Sequence, residues 1–229
     1  MVWMTFFHAA FDFNHFGWIE QNFYADPFWV WQRTAIVSLF LLTAGMGQSI
    51  AYQELQPWMR FWRRWFQIAL GALVVTAGSW LMYPQSFIYF GVLHGVALML
   101  VVVRLSVTWG RWLWLAGAVA LGLSWAAPAF HTRWPELAWL NQPGFNILGL
   151  ISQKPRTEDF VPLLPWLGVM WWGSALAQTP HVRQALAAKI PGAQALTLLG
   201  RRSLVYYLLH QPVLIGTMML VSFILGRPT

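Results

Sequence analysis

Long apolar runs recur from one end of this chain to the other, each interrupted by a short cluster of charge. Crossing the hydrocarbon core of a bilayer takes roughly 17–25 mostly apolar residues. A backbone in that core must satisfy its own hydrogen bonds, which favours helices. Only 9% of the 229 residues are charged, against about 25% in globular proteins. That shortage holds along the whole length, so the chain is read as polytopic rather than as a soluble domain with one anchor. The 17 Trp fit this reading, because indole favours membrane interfaces and packed helix contacts.

Seven spans are expected: Met1 to about Phe16, Phe28 to Ala51, Phe66 to Tyr83, Phe87 to Val103, Trp112 to Phe130, Val161 to Ala177 and Ser203 to Leu225. The expected fold is an all-α polytopic transmembrane helix bundle, one integral-membrane domain over 1–229. The first span is short before Asp12 and no charge precedes it, so a clipped N-terminus is expected, with a re-entrant segment as the alternative. No basic n-region or small-residue cleavage site marks a signal peptide.

Lys and Arg in the connecting segments set the orientation. Arg60, Arg63 and Arg64 are placed in the loop after the second span, and Arg104 and Arg111 in the loop after the fourth. Arg183, Lys189, Arg201 and Arg202 follow the sixth. The opposite side holds Arg133, Lys154, Arg156 and Arg227, together with most of the acidic residues. The first side is therefore expected in the cytoplasm and the C-terminus outside. Two long connections stand out. Residues 131–160 form an expected external loop. Residues 178–202 form an expected cytoplasmic loop in which VRQALAAKI reads as a short interfacial amphipathic helix.

The net charge of +7 is topology information, because its residues sit between spans; no nucleic-acid partner is expected. Cys is absent, which excludes a disulfide framework and a thiolate metal site. The histidines lie on different spans without HxH or HExxH spacing, so no metal is expected. No GxGxxG, Walker or GxSxG sequence occurs.

Polar residues inside apolar spans are the candidates for chemistry, since each is costly in lipid. His8 and Asp12 lie four residues apart, on one face of a helix. In the functional reading Asp12 orients the imidazole, leaving a nitrogen to act as base or acyl carrier. In the structural reading the two only position helices. His15 lies one turn further on and reads as solvated. Arg33 either snorkels to headgroups or pairs with Asp12. His94 sits close to the middle of its span, flanked by Gly91 and Gly95, either packed or lining a path. His210 and Gln211 precede Pro212, whose missing donor frees a backbone carbonyl. They line a cavity, or Gln211 caps a kink. Asp159 reads as the N-cap of the sixth span, with Pro162 and Pro165 in its first turn.

Five segments carry a resemblance: HAAFDFNHFG (8–17), TAIVSLFLLTAGMGQS in the second span, FIYFGVLHGVAL (87–98), DFVPLLPWLGV (159–169) and GRRSLVYYLLHQPVL (200–214). In these the chain resembles bacterial membrane proteins related to the catalytic domain of heparan-α-glucosaminide N-acetyltransferase, within the transmembrane acyltransferases. The resemblance implies transfer of an acetyl or other acyl group from cytoplasmic acyl-CoA to an envelope sugar amine or hydroxyl, in the bacterial inner membrane. It implies His8 and Asp12 as the catalytic pair, Arg33, His94, His210 and Gln211 as supporting residues, and Arg63, Arg64, Arg201 and Arg202 as a basic patch for acyl-CoA phosphates. The partners expected are membrane lipid and an envelope saccharide, with Gly-rich spans that allow a homo-oligomer. The basic Asp-x-x-Arg-Gly-like segment usual before the first helix is missing here. A proton-coupled transporter or flippase, and a non-catalytic scaffold, remain the competing readings.

Overall fold

A computed structural model of the chain describes residues 1–188, 192 and 194–226. Lys189 and Ile190 of the expected interfacial helix, and Arg227, lie outside the described residues. The chain is 75% helical. Among the described residues the only extended pairing is an isolated bridge between Phe90 and Phe160. The helices are α1 (Val2–His15), α2 (Pro27–Gln53), α3 (Trp58–Met82), α4 (Val92–Ser106), α5 (Trp112–Arg133), α6 (Leu163–Leu176), α7 (Pro180–Ala187), α8 (Gln194–Arg201) and α9 (Ser203–Ile224). Five of the described helices are long and apolar enough to cross a membrane: α2, α3, α4 with its 3₁₀ extension to Trp109, α5 and α9. The protein is a multi-pass membrane protein of the all-α class. Of the other two expected spans, α1 and α6 have 14 residues each. Helix α6 is shorter than Val161 to Ala177 because Pro162 precedes it and Leu164 is non-helical.

The chain divides into two compact units. The first comprises Met1–Val37 and Lys189–Thr229, the second Ser38–Ala188. In the first unit α1 packs along α9. Its α2 start is set locally: Asp26 accepts the Phe28 N–H at 2.9 Å, and Pro27 supplies a φ suited to the first helical position. Before it, Phe23 stacks on Trp29 with centroids 4.1 Å apart.

In the second unit α4 is the central helix. Over α4 and its extension to Trp109, 56% of residues are buried, against 11% of the most apolar 18-residue stretch of α3, whose apolar surface is left for lipid. Helix α6 packs on α5 and α4. A Cβ on Gly45 would strike the Met170 carbonyl, and one on Gly173 the Leu42 carbonyl. Glycine at both positions therefore lets the α2 and α6 backbones touch, the small-residue packing of membrane helices. Indole N–H groups tie the helices together: Trp65 donates to the Ala97 carbonyl at 2.8 Å, Trp171 to Ser106 Oγ at 2.8 Å and Trp172 to the Trp114 carbonyl at 3.0 Å. Ser49 and Ser174, both fully buried, join α2 to α6. Ser49 Oγ donates to the Ser174 carbonyl at 2.8 Å and accepts from Gln178 Nε2 at 3.1 Å. Each such bond is worth about 1 kcal/mol net.

Four sequence expectations are corrected here. Arg60, Arg63 and Arg64 lie not in a loop but on the first turns of α3, which Pro57 starts eight residues earlier than the apolar run suggests. Arg104 lies inside α4 and is buried rather than in a connection. His94 is the third residue of α4, not mid-span, because Phe87–Gly91 is not helical. Asp159 does not cap α6. Its Oδ2 accepts the Val92 N–H at 2.7 Å, so it caps α4 across the unit. A Cβ at Gly91 would run into that carboxylate. The segment 178–202 contains both α7 and α8; Arg201 ends α8 and Arg202 leads into α9.

Candidate functional site

The polar residues of α1 and α9 meet in the first unit. Asp12 faces α9 and is 3% exposed. Its Oδ1 accepts from Gln211 Nε2 at 2.9 Å, across 199 residues of sequence. Gln211 thus reaches a carboxylate rather than capping a kink, and α9 continues through Pro212. Among the described residues no ion pair joins Asp12 to Arg33, whose half-buried side chain belongs to α2.

His8, one turn before Asp12, lies against His210. Their ring centroids are 5.1 Å apart with planes tilted by 59°. Phe7 meets His8 edge-on at 5.7 Å. Tyr206 lies parallel to His210 at 6.0 Å and its hydroxyl is hydrogen-bonded to Thr5 Oγ1, a second α1–α9 tie. Sequence reading passed over Tyr206. The one available signal was its place four residues before His210, on the same helical face.

The hydrogen bonds set the chemistry of His210. Its Nδ1 lies 2.7 Å from the Tyr207 carbonyl. A carbonyl only accepts, so Nδ1 carries the proton and the neutral ring keeps its lone pair on Nε2. That Nε2 is buried without a hydrogen-bond partner, as are Asp12 Oδ2 and Gln211 Oε1. Buried polar atoms are nearly always paired. Three such atoms thus lie on residues at the α1–α9 contact, Asp12 on α1 and His210 and Gln211 on α9.

The other expected residues are placed elsewhere. His15 is exposed at the end of α1. Arg63 and Arg64 are exposed on α3, Arg201 and Arg202 exposed at the junction of α8 and α9. His94 belongs to the second unit, where both ring nitrogens are engaged. Its Nδ1 accepts the Gly91 N–H at 3.3 Å, so Nε2 carries the proton and donates to Thr76 Oγ1 at 3.0 Å. Thr76 in turn donates to the Ile88 carbonyl at 2.7 Å. Each group in this chain is satisfied, and it ties α3 to the start of α4. Nearby, the Tyr89 hydroxyl accepts from Asn146 Nδ2 at 2.8 Å. Burial raises its pKa, and the Asn146 bond works against that rise. Among the described residues no group of three His, Asp or Glu is placed to hold a metal.

The family model described as heparan-alpha-glucosaminide N-acetyltransferase, catalytic, matches residues 1–212. No curated protein and no solved structure matches the chain.

Proposed function

We infer from one premise, that the chain belongs to the heparan-alpha-glucosaminide N-acetyltransferase catalytic family, that it is a membrane-embedded acyltransferase. The proposed reaction moves an acetyl or other acyl group from acyl-CoA to a sugar amine or hydroxyl of the cell envelope. The observation that carries it within the molecule is the α1–α9 cluster, where His8 lies against a histidine with an open Nε2 beside the buried Asp12–Gln211 pair.

In this reading a histidine nitrogen takes the proton from the acceptor N–H or O–H as that atom attacks the thioester carbonyl. The C–S bond breaks, the new amide or ester forms, and the thiolate leaves and is protonated to free CoA. His8 is the proposed base or transient acyl carrier, and His210 the second base within reach. Tyr207 fixes the tautomer of His210. Asp12 lies one helical turn from His8 on α1 and is held by Gln211; its proposed part is to offset the positive charge that a ring gains when it accepts a proton. General acid–base catalysis of this kind contributes about 10²–10⁴-fold.

The acyl-CoA phosphates would be drawn by exposed Arg63 and Arg64 on α3, and by Arg201 and Arg202 at the start of α9, through charge attraction. The excess of basic residues around the connections that follow the second, fourth and sixth expected spans supports a cytoplasmic location for those connections. With it go an outer-half position for His8 and Asp12, an external C-terminus and residence in the bacterial inner membrane.

Release of free CoA from acetyl-CoA by the purified protein tests this, with a glucosamine acceptor present or absent. Acceptor-dependent release that His8→Ala abolishes supports the transferase. Labelled acetyl that stays on the protein without acceptor, and not on His8→Ala, identifies a carrier rather than a base. A folded protein that consumes no acyl-CoA with any sugar acceptor overturns the reading in favour of a transporter.

A further inference from the structure

Arg104 stands in the last turn of α4, in the second unit, and is 6% exposed. Arginine is almost never fully buried unless paired, and an uncompensated buried charge is strongly destabilising. Among the described residues no carboxylate reaches it. Its Nη2 donates to the Gln56 carbonyl at 2.7 Å. Three rings surround the guanidinium carbon: Trp58 at 5.3 Å, Phe61 at 5.9 Å and Tyr52 at 6.0 Å. Its Nη1 is buried with no hydrogen-bond partner. Ring faces offset part of the desolvation of a cation, but they do not supply an anion and they leave that donor open.

A recess of about 310 Å³ lies beside this box, lined by Ser49, Tyr52, Gln53, Val107, Thr108 and Gln178. Tyr52 belongs to both the box and the recess; Arg104 itself does not line the recess. Val107 and Thr108 follow Arg104 by one helical turn. The lining is rich in hydroxyl and amide groups and carries no acidic side chain. Ser49 and Gln178 already donate within the fold, so the Tyr52 and Thr108 hydroxyls and the Gln53 amide are the lining groups that can donate to an anion, and Arg offers a planar fork that matches phosphate geometry.

We propose that Arg104 and the adjoining recess form a binding site for an anionic phosphate group, reached past the Tyr52 side chain, which is 44% exposed. Two sources share this chemistry: the headgroup of an anionic phospholipid, and a soluble diphosphate. The site is independent of the acyl-transfer reading, because its test is binding rather than turnover.

The test uses the full chain in nanodiscs of phosphatidylcholine alone. One arm measures uptake of radiolabelled inorganic pyrophosphate by equilibrium dialysis. The other replaces part of the lipid with phosphatidylglycerol and follows the thermal unfolding midpoint. The expected result is pyrophosphate binding, or a rise in midpoint with phosphatidylglycerol, and the arm that responds identifies the source. Arg104→Lys keeps the charge but loses the fork, and Gln53→Glu sets a carboxylate at the mouth of the recess. Both are expected to weaken the response at least tenfold. Gln53 is exposed, so that variant is expected to fold, and it decides the matter if Arg104→Lys does not fold. No response in either arm, or a Gln53→Glu protein that responds like the parent, overturns the proposal.

Discussion

His210 and His94 look alike in sequence, each a lone histidine within an apolar segment, and they are opposites in structure. In the second unit His94 accepts from Gly91 and donates to Thr76, and the chain of bonds ends on a carbonyl. In the first unit His210 donates to Tyr207 and keeps an open, buried Nε2 beside His8. The lesson is about bookkeeping of donors and acceptors. A buried imidazole with both nitrogens engaged stabilises a helix start. One with a nitrogen left over carries the cost of an unpaired buried polar atom.

The strongest way to break this contrast is to remove each imidazole in turn. His210→Ala is expected to lower acyl transfer by about 10²–10⁴-fold while the unfolding midpoint stays near the parent. CoA release under saturating acetyl-CoA measures it, and a loss below tenfold removes His210 from the proposed chemistry. His94→Ala should do the reverse. It orphans the Gly91 N–H and leaves Thr76 without its donor, at about 1–3 kcal/mol of stability, read by thermal unfolding in detergent, with turnover in the folded fraction retained. Equal losses of turnover in both variants would erase the distinction.

Asp12→Asn keeps an oxygen to accept from Gln211 and deletes only the charge. Turnover should fall about tenfold, equivalent to roughly 1.4 kcal/mol in the barrier, with little change in stability. An effect confined to stability would make Asp12 a tie between α1 and α9 and nothing more. Arg33→Gln should change least, within about 0.5 kcal/mol, because no ion pair links Arg33 to Asp12. A double variant with Asp12→Asn tests that separately: additive effects are expected, and non-additivity would restore the pairing that the geometry does not contain.

The class of the protein was legible without coordinates. Apolar length and the scarcity of charge demand spanning helices, since lipid offers a backbone no hydrogen-bond partners. The candidates themselves were also legible, because His8, Asp12, His94, His210 and Gln211 interrupt apolar runs. Their partners were not. Spacing along one helix suggested that Asp12 serves His8, yet the carboxylate turns to Gln211 on α9. Arg104 was read as a topology charge, because sequence shows its sign and not the rings of Tyr52, Trp58 and Phe61 that close around it.

Hydropathy is a property of each residue summed over a window, so it survives without knowledge of neighbours. It sufficed for membrane residence and helical class. Whether a polar atom is satisfied depends on groups brought together from distant parts of the chain. Gly45 and Gly173 admit backbone contact in the second unit, and Asp12 meets Gln211 in the first. Packing at that scale separated the satisfied histidine from the open one, and it made a buried Arg with a free donor out of a residue that sequence alone places in a connecting loop.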